Sequence, residues 1–320
     1  MNIVVLEKAS VGTDIDISCY EDFGTVTYYD NTVTVKEAAK RIQNAEIVIA
    51  NKAPLRREAL ETAENLKLIC VLATGFDNVD TAFCKNHGIK VANVVNYSTP
   101  MVAQHTITLA LALSQKIVSY DSYVKSGAYS AQSSFSYFGI PFAELEGKTW
   151  GIVGMGNIGK RVAKIAEALG CHVIFHSLTG KSNYTEYEQT DKDTLLARSD
   201  FLSLHCPLSG LSRNFIDAQA LRKMKNTAVL LNVARGPVVN NTDLYHALME
   251  NEIAAAGLDV LEDEPLTQSN PLSTIKDSSR LIITPHLAWA SVEARTRCVM
   301  GVYQNIEAFF RGEDRNIVNL

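Results

Sequence analysis

Short, continuous apolar runs recur along this chain, separated by longer stretches of mixed polarity. Before residue 100 they are Ile3 to Leu6, Ile47 to Ala50, Leu68 to Leu72 and Ile89 to Val94. A run that stays apolar, instead of alternating, is what a strand covered on both faces requires. These runs therefore predict parallel strands with helices on both sides of a sheet. A second series starts at Trp150-Gly151-Ile152-Val153 and continues through Val173 to Phe175, Phe201 to Leu204, Ala228 to Leu231, Ala254 to Leu258 and Leu281 to Ile283. Two α/β lobes follow from the two series.

Between them, Thr99 to Val118 holds the run Ile107-Thr108-Leu109-Ala110-Leu111-Ala112-Leu113, too short to span a membrane and suited to a buried interdomain helix. The segment from Tyr120 to Lys148 reads as irregular and carries Tyr120, Tyr123, Tyr129, Phe135, Tyr137, Phe138 and Phe142. Aromatics at that density predict contact with another surface, a second subunit in a homodimer, or packing on their own domain. A final helix, about Ser291 to Arg311, is expected to cross back and cover the first lobe, which makes that lobe discontinuous.

Composition narrows the function classes. With 47% hydrophobic and 20% charged residues the chain has ordinary globular composition. Its formal net charge of -5 comes with no long block of one sign, which argues against nucleic acid and against an anionic membrane as partners. Cys19, Cys70, Cys84, Cys171, Cys206 and Cys298 are scattered without a C-x-x-C pair and read as buried thiols. Met1 leads almost directly into the first strand, so a soluble, cytoplasmic protein is expected. No metal site is expected.

The first chemical signal is Gly154-Met155-Gly156-Asn157-Ile158-Gly159, placed between the strand at Thr149 to Val153 and an apolar stripe at helical spacing, Ile158, Val162, Ile165, Ala166 and Leu169. In that context Gly154 permits a tight turn, Gly156 lets a pyrophosphate approach the backbone, and Gly159 lets helix and strand pack closely. The free amides and dipole of the helix N-terminus favour a diphosphate. The next strand should end in an acid for the adenosine ribose of NAD, but Val173 to His176 runs into Ser177-Leu178-Thr179-Gly180-Lys181. With Ser177 there, and Thr179 and Lys181 near it, the main obstacle to NADP is gone. NAD and NADP both stay open. His205-Cys206-Pro207 follows another strand, and His205 is a candidate for lining an adenine pocket or a loop histidine of no special role.

Arg235, in Asn232-Val233-Ala234-Arg235-Gly236, should emerge at the C-terminal end of a strand, where open α/β sheets bind ligands, and its guanidinium suits a bidentate grip on a carboxylate. Glu264 precedes Pro265, and His286 follows Pro285 just after the last strand. Reduction of a 2-keto acid needs a hydride at the carbonyl carbon and a proton at its oxygen. A histidinium supplies that proton, and a neighbouring carboxylate favours the charged ring and fixes its orientation. His87, His105, His172, His176 and His246 read as structural.

These residues together resemble the D-isomer-specific 2-hydroxyacid dehydrogenases over essentially the full length. The stretches that carry the resemblance are Gly154 to Gly159, Asn232 to Gly236, Gly257-Leu258-Asp259-Val260 leading to Glu264-Pro265, and Thr284-Pro285-His286. The resemblance implies two Rossmann-like or flavodoxin-like lobes with parallel sheets. Residues 1–98 plus 287–320 form a substrate-binding domain, and 99–286 a dinucleotide-binding domain with an aromatic-rich arm at 120–148. It also implies that Arg235 binds and polarises the keto acid, that His286 is the acid/base, and that Glu264 tunes it. Asp259 lies near the nicotinamide carboxamide, and Val233, Ala234 and Ala288 add cofactor contacts. Ala73 to Asp80, Asn96 to Thr99 with Val102 to Thr106, and His286 to Ala290 look most like the glycerate dehydrogenase (hydroxypyruvate reductase) branch. In that branch the loop at Thr74 and Gly75 offers backbone donors to the substrate carboxylate, and Lys52, Phe76 and Trp289 shape the pocket. The expected function is NAD(P)H-dependent reduction of a small 2-keto acid, and the reverse oxidation. Two alternatives stand beside it, a D-lactate or other branched or aromatic D-2-hydroxyacid dehydrogenase, and a dinucleotide-sensing corepressor-like binding protein.

Overall fold

In the computed structural model, which describes residues 1–180 and 182–320, the apolar runs become strands of two sheets whose pairings are all parallel. The first sheet holds β1 (Asn2–Val5), β2 (Thr25–Tyr28), β3 (Ile47–Ala50), β4 (Leu68–Val71) and β5 (Lys90–Ala92) in the order β2-β1-β3-β4-β5. The second holds β6 (Thr149–Val153), β7 (His172–His176), β8 (Glu188–Gln189), β9 (Phe201–Leu204), β10 (Val229–Asn232), β11 (Ala255–Leu258) and β12 (Leu281–Ile283) in the order β12-β11-β10-β9-β6-β7-β8. Every position of β3, β4, β9 and β10 is buried, as strands covered on both faces must be.

Two strands lack an apolar run. Thr25–Tyr28 and Glu188–Gln189 are the outer strands beside β1 and β7, with exposed and half-buried side chains, so no continuous hydrophobic pattern is needed to hold them.

The chain divides into two compact units, Met1–Ser98 with Trp289–Leu320, and Thr99–Ala288. In the first, the helix Val35–Ile42 starts at a capping box in which Thr34 accepts from the Glu37 amide and Glu37 reaches back to the Thr34 amide. The helix Val292–Phe310 buries Ala294, Cys298, Val302 and Ile306, a four-residue spacing that keeps one face on this unit, where it packs against β4.

In the second unit the helix Asn157–Ala168 buries Gly159, Val162, Ala163 and Ala166 and packs on the helix Thr99–Ser114. The latter ends earlier than its apolar pattern suggests, because Lys116 takes a left-handed conformation at φ 56° and donates to the Ser279 carbonyl. The segment read as irregular begins with two helices, Ile117–Lys125 and Ala128–Ala131, neither of which buries a residue. Beyond them Phe135 and Phe138 stand 91% and 86% exposed. No described helix is long and apolar enough to cross a membrane, and all six cysteines are free thiols.

Each sheet has a strand whose neighbours are reached in opposite directions. In the first it is β1, between β2 and β3, and in the second β6, between β7 and β9. Connections leaving such a strand on opposite sides open a crevice beyond the carboxyl ends, the usual ligand site of open parallel sheets.

Candidate active site

The crevice of the second unit is built around the glycine turn. β6 runs into Gly154, which holds φ at 94°, donates to the His176 carbonyl at 3.0 Å and lies against the His205 carbonyl and the Cys206 amide. A Cβ on Gly159 would overlap the carbonyl of Gly154, so helix and turn touch backbone to backbone there. Gly156 differs, for a Cβ on it would meet nothing within 4 Å. It and Asn157 are exposed, Ile158 packs partly against the core, and the helix N-terminus at Gly156 carries no side-chain cap. Nothing among the described residues requires a glycine at 156, whereas a bound group resting on the backbone would require one.

His205 supplies a second mark of a ligand. Part of the ring's residue surface is open, but both ring nitrogens are shut from solvent without a hydrogen-bond partner among the described residues. Burial pushes its pKa down to about 3. Cys206 is buried beside it, its thiol pushed up to about 11 by desolvation. The carbonyl of Pro207 accepts from the Ser212 hydroxyl at 2.7 Å. Beyond β7 the hydroxyls of Ser177 and Thr179 lie 3.5 Å apart at the surface. Lys181 falls outside the described residues. An uncapped helix N-terminus, an open glycine and an orphaned imidazole at one switch point fit a dinucleotide.

Arg235, Glu264 and His286 follow β10, β11 and β12, three neighbouring strands. Each loop has its own constraint. A Cβ on Gly236 would overlap the carbonyl of Leu261, so the loop after β10 presses directly on the loop after β11. Asn232 folds the first of these, accepting from the Ala234 amide at 3.1 Å and donating to the Arg235 carbonyl at 3.0 Å. The guanidinium of Arg235 donates to the carbonyl of Ala234 at 2.8 Å. Val233 and Ala234 put their side chains into the core, which leaves their backbone as the part able to meet a ligand. Glu264, joined to Pro265 by a cis bond, accepts from the Leu261 amide at 3.0 Å through Oε1 and from Nδ1 of His286 at 2.7 Å through Oε2. His286 holds φ at 53°, a conformation a non-glycine residue keeps only where surrounding bonds enforce it.

Those bonds come from Asp259. Its backbone carbonyl accepts the His286 amide at 2.9 Å. Its buried carboxylate accepts the Thr284 hydroxyl at 2.6 Å and the amides of Leu287 and Ala288 at 2.9 Å each. Nε2 of His105 lies 2.9 Å from the same hydroxyl. Since Thr284 gives its only proton to Asp259, His105 must donate to it. The His105 pKa is lowered by burial, against the opposing pull of Asp259. Both carboxylate oxygens of Asp259 are thus committed to folding the segment that carries His286. Neither Thr284 nor His105 was singled out by sequence reasoning for this task. The available signal was a histidine on an otherwise apolar helix.

The remaining candidates lie in the first unit. Lys52 is exposed on the loop after β3. The Thr74 hydroxyl donates to Val94 O at 2.9 Å, and the Thr74 carbonyl accepts from Asn93 at 2.7 Å, which fixes the loop through Gly75. Phe76 packs on the core edge, and Trp289 meets Tyr97 edge to face at 6.4 Å.

A family model described as "D-isomer specific 2-hydroxyacid dehydrogenase, NAD binding domain" matches residues 107–288. The chain is 40% identical over 290 residues to a glycerate dehydrogenase of Methylorubrum extorquens, covering 91% of this chain and 90% of that one. It is 37% identical to a hydroxypyruvate reductase of Blautia hydrogenotrophica over all of both chains. Among solved structures, the D-lactate dehydrogenase of Aquifex aeolicus, complexed with NAD and lactic acid, superposes with a TM-score of 0.85 at 27% identity, covering 100% of this chain and 99% of that one.

Two outcomes follow from the geometry. Gly159→Ala should lower the unfolding free energy of the second unit, measured by urea denaturation, by about 1–3 kcal/mol, as overpacking does, while Gly156→Ala should cost under about 1 kcal/mol. Equal losses would contradict the contrast in space. The unfolded chain protonates His205 near pH 6.5, and the folded chain only near pH 3. Below about pH 6.5 the unfolded state therefore binds the extra proton, and stability falls with pH until about pH 3. Relative to His205→Leu, the wild type should lose about 1.4 kcal/mol per pH unit in that window, and parallel pH-stability curves would refute the buried neutral ring.

Proposed function

Because the chain belongs to the D-isomer-specific 2-hydroxyacid dehydrogenase family, we propose that it reduces hydroxypyruvate to D-glycerate and catalyses the reverse oxidation. It is an NAD(P)-dependent oxidoreductase of 2-keto and 2-hydroxy acids. The observation that carries the chemical assignment is the 2.7 Å pairing of His286 Nδ1 with Glu264 Oε2 beside the loop of Arg235. The substrate is argued from the glycerate dehydrogenase and hydroxypyruvate reductase relatives. A reductase named for glyoxylate, at 38% identity over 82% of this chain, makes that smaller keto acid the second substrate to test.

Glu264 accepts a hydrogen bond from Nδ1–H of His286, which fixes the ring so that Nε2 exchanges the catalytic proton. In the reducing direction Nε2–H gives its proton to the keto oxygen, and in the oxidising direction the neutral nitrogen takes the hydroxyl proton. Arg235 grips the substrate carboxylate and polarises the carbonyl, with charge that persists at any working pH. When bound, the reduced nicotinamide supplies the hydride. Gly154, Gly156, Asn157, Ile158 and Gly159 hold the diphosphate, and His205, Cys206 and Pro207 line the adenine side. Val233, Ala234, Asp259 and Ala288 border the nicotinamide, Asp259 by shaping the backbone around it. Ser177 and Thr179 present hydroxyls where a carboxylate would repel a 2'-phosphate, which supports use of NADP as well as NAD. Lys52, Thr74, Gly75, Phe76 and Trp289 bind the substrate. We assign the first unit to substrate and the second to cofactor, and the exposed aromatics of the arm at 120–148 to a homodimer contact.

Initial rates with hydroxypyruvate, glyoxylate, pyruvate and phenylpyruvate, each with NADH and NADPH, test the assignment. Hydroxypyruvate should show the highest kcat/KM, and a preference for pyruvate or phenylpyruvate would move the protein to another branch of the family. His286→Ala should lower kcat on the order of 10²–10⁴-fold, and Arg235→Lys should lower kcat/KM on the order of 10–100-fold through loss of the bidentate grip. Near-normal rates in either variant would remove that residue from the mechanism.

A further inference from the structure

Glu7 is a carboxylate in a place that apolar residues usually fill. It follows β1, is 9% exposed, and its Oε2 accepts three consecutive backbone amides of the loop after β3. These are Asn51 at 2.8 Å, Lys52 at 2.7 Å and Ala53 at 2.7 Å. Successive N–H groups that converge on one point form a nest, an arrangement that binds anions. Sheet order gives this nest its meaning. β1 and β3 flank the switch point of the first sheet, and the crevice beyond a switch point is where open parallel sheets take ligands. Here the nest is filled by the chain's own carboxylate, whose desolvation is offset by the three donors.

The grip has a local consequence. Asn51 and Ala53 are buried, while the Lys52 side chain between them is exposed, so the backbone is fixed on either side of the amine. The hold extends further along the sheet edge. Asn78 Nδ2 donates to the Ala53 carbonyl at 2.8 Å, and the Leu55 amide donates to the Asn78 carbonyl at 3.0 Å. The loop of Lys52, with Glu7 at its start, is therefore hydrogen-bonded to Asn78, and the Val79 amide beside Asn78 donates to the Phe76 carbonyl at 3.0 Å, at the end of the loop of Thr74 to Phe76.

We propose that Glu7 is a positioning residue for the keto acid, an internal anion that sets the 51–53 turn and, through it, the substrate side of the reaction. The proposal rests on the assignment of the Lys52 and Thr74 loops to substrate. It carries a chemical corollary. Truncating Glu7 leaves an anion-shaped nest that a small external carboxylate can fill.

The experiment is steady-state kinetics of the full-length enzyme with hydroxypyruvate, on Glu7→Ala, Glu7→Gln and Lys52→Ala, with NADH binding followed by fluorescence. Added sodium formate is compared with sodium chloride at equal ionic strength. Glu7→Ala should raise KM at least about tenfold, the loss expected for hydrogen bonds to a charged acceptor, with kcat changed less than about threefold and NADH binding unaltered. Formate, and not chloride, should bring KM partway back in Glu7→Ala and do nothing of the kind for the wild type. Glu7→Gln, which keeps an acceptor, should show a smaller rise without the formate effect. An unchanged KM in Glu7→Ala overturns the proposal, and so does a parallel loss of kcat, KM and NADH binding that formate does not reverse, because that is the mark of a merely structural role. If Glu7→Ala fails to fold, Glu7→Gln decides: a raised KM at an unshifted melting temperature supports the proposal, and an unchanged KM overturns it. A raised KM in Lys52→Ala with a normal Glu7→Ala leaves the substrate assignment standing and removes Glu7 from it. A formate-reversible Glu7→Ala with a normal Lys52→Ala keeps Glu7 and removes Lys52.

Discussion

A carboxylate stays buried only where donors surround it, and the arrangement around Asp259 shows what that requirement can build. The Thr284 hydroxyl and the Leu287 and Ala288 amides converge on its side chain, and its own carbonyl takes the His286 amide. Satisfying one buried charge thus bends the chain through the left-handed conformation of His286 and presents the imidazole to Glu264. Desolvation supplies the stringency, since a buried charge deprived of its partners costs far more than a single exposed hydrogen bond contributes. His105, its pKa lowered by burial, closes the network from the helix Thr99–Ser114.

The first unit uses the same device, there at the switch point, with Glu7 gathering the amides of 51–53 as Asp259, beyond β11, gathers those of 287 and 288. In both cases an acidic residue just beyond a strand is turned inward, and a loop at the carboxyl edge of the sheet takes its shape from it. Loops are where a scaffold carries its chemistry, and internal hydrogen bonding of this kind makes a loop as definite as a strand. Close backbone contact does the complementary work. Gly159 against Gly154, and Gly236 against Leu261, bring segments nearer than any side chain would allow.

Beyond Ala131, the aromatic side chains Phe135, Phe138 and Phe142 are all well exposed. Several of their neighbours are nevertheless ordered among themselves. Tyr123 stacks on Tyr137 at 3.9 Å between ring centres, and the Tyr120 hydroxyl donates to the Ile140 carbonyl at 2.6 Å. A segment that holds its own shape while leaving phenylalanines in water is suited to meeting another surface.

What the sequence determined by itself is what depends on near neighbours. Buried parallel strands are continuous apolar runs, so the core strands of both sheets were legible, as were the glycine turn before its helix and the placement of Arg235, Glu264 and His286 beyond strands. The edge strands Thr25–Tyr28 and Glu188–Gln189 were not, because one neighbour and an open face impose no apolar pattern. Nor was the helix Ile117–Lys125, which buries nothing and so shows no stripe. Only the tertiary structure decided that β10, β11 and β12 lie side by side, that a histidine meets a glutamate 22 residues away, and that Glu7 reaches amides 44 to 46 residues along the chain. Those contacts depend on strand order and on the desolvation of particular polar atoms, and neither is written in the local pattern of apolar and polar residues.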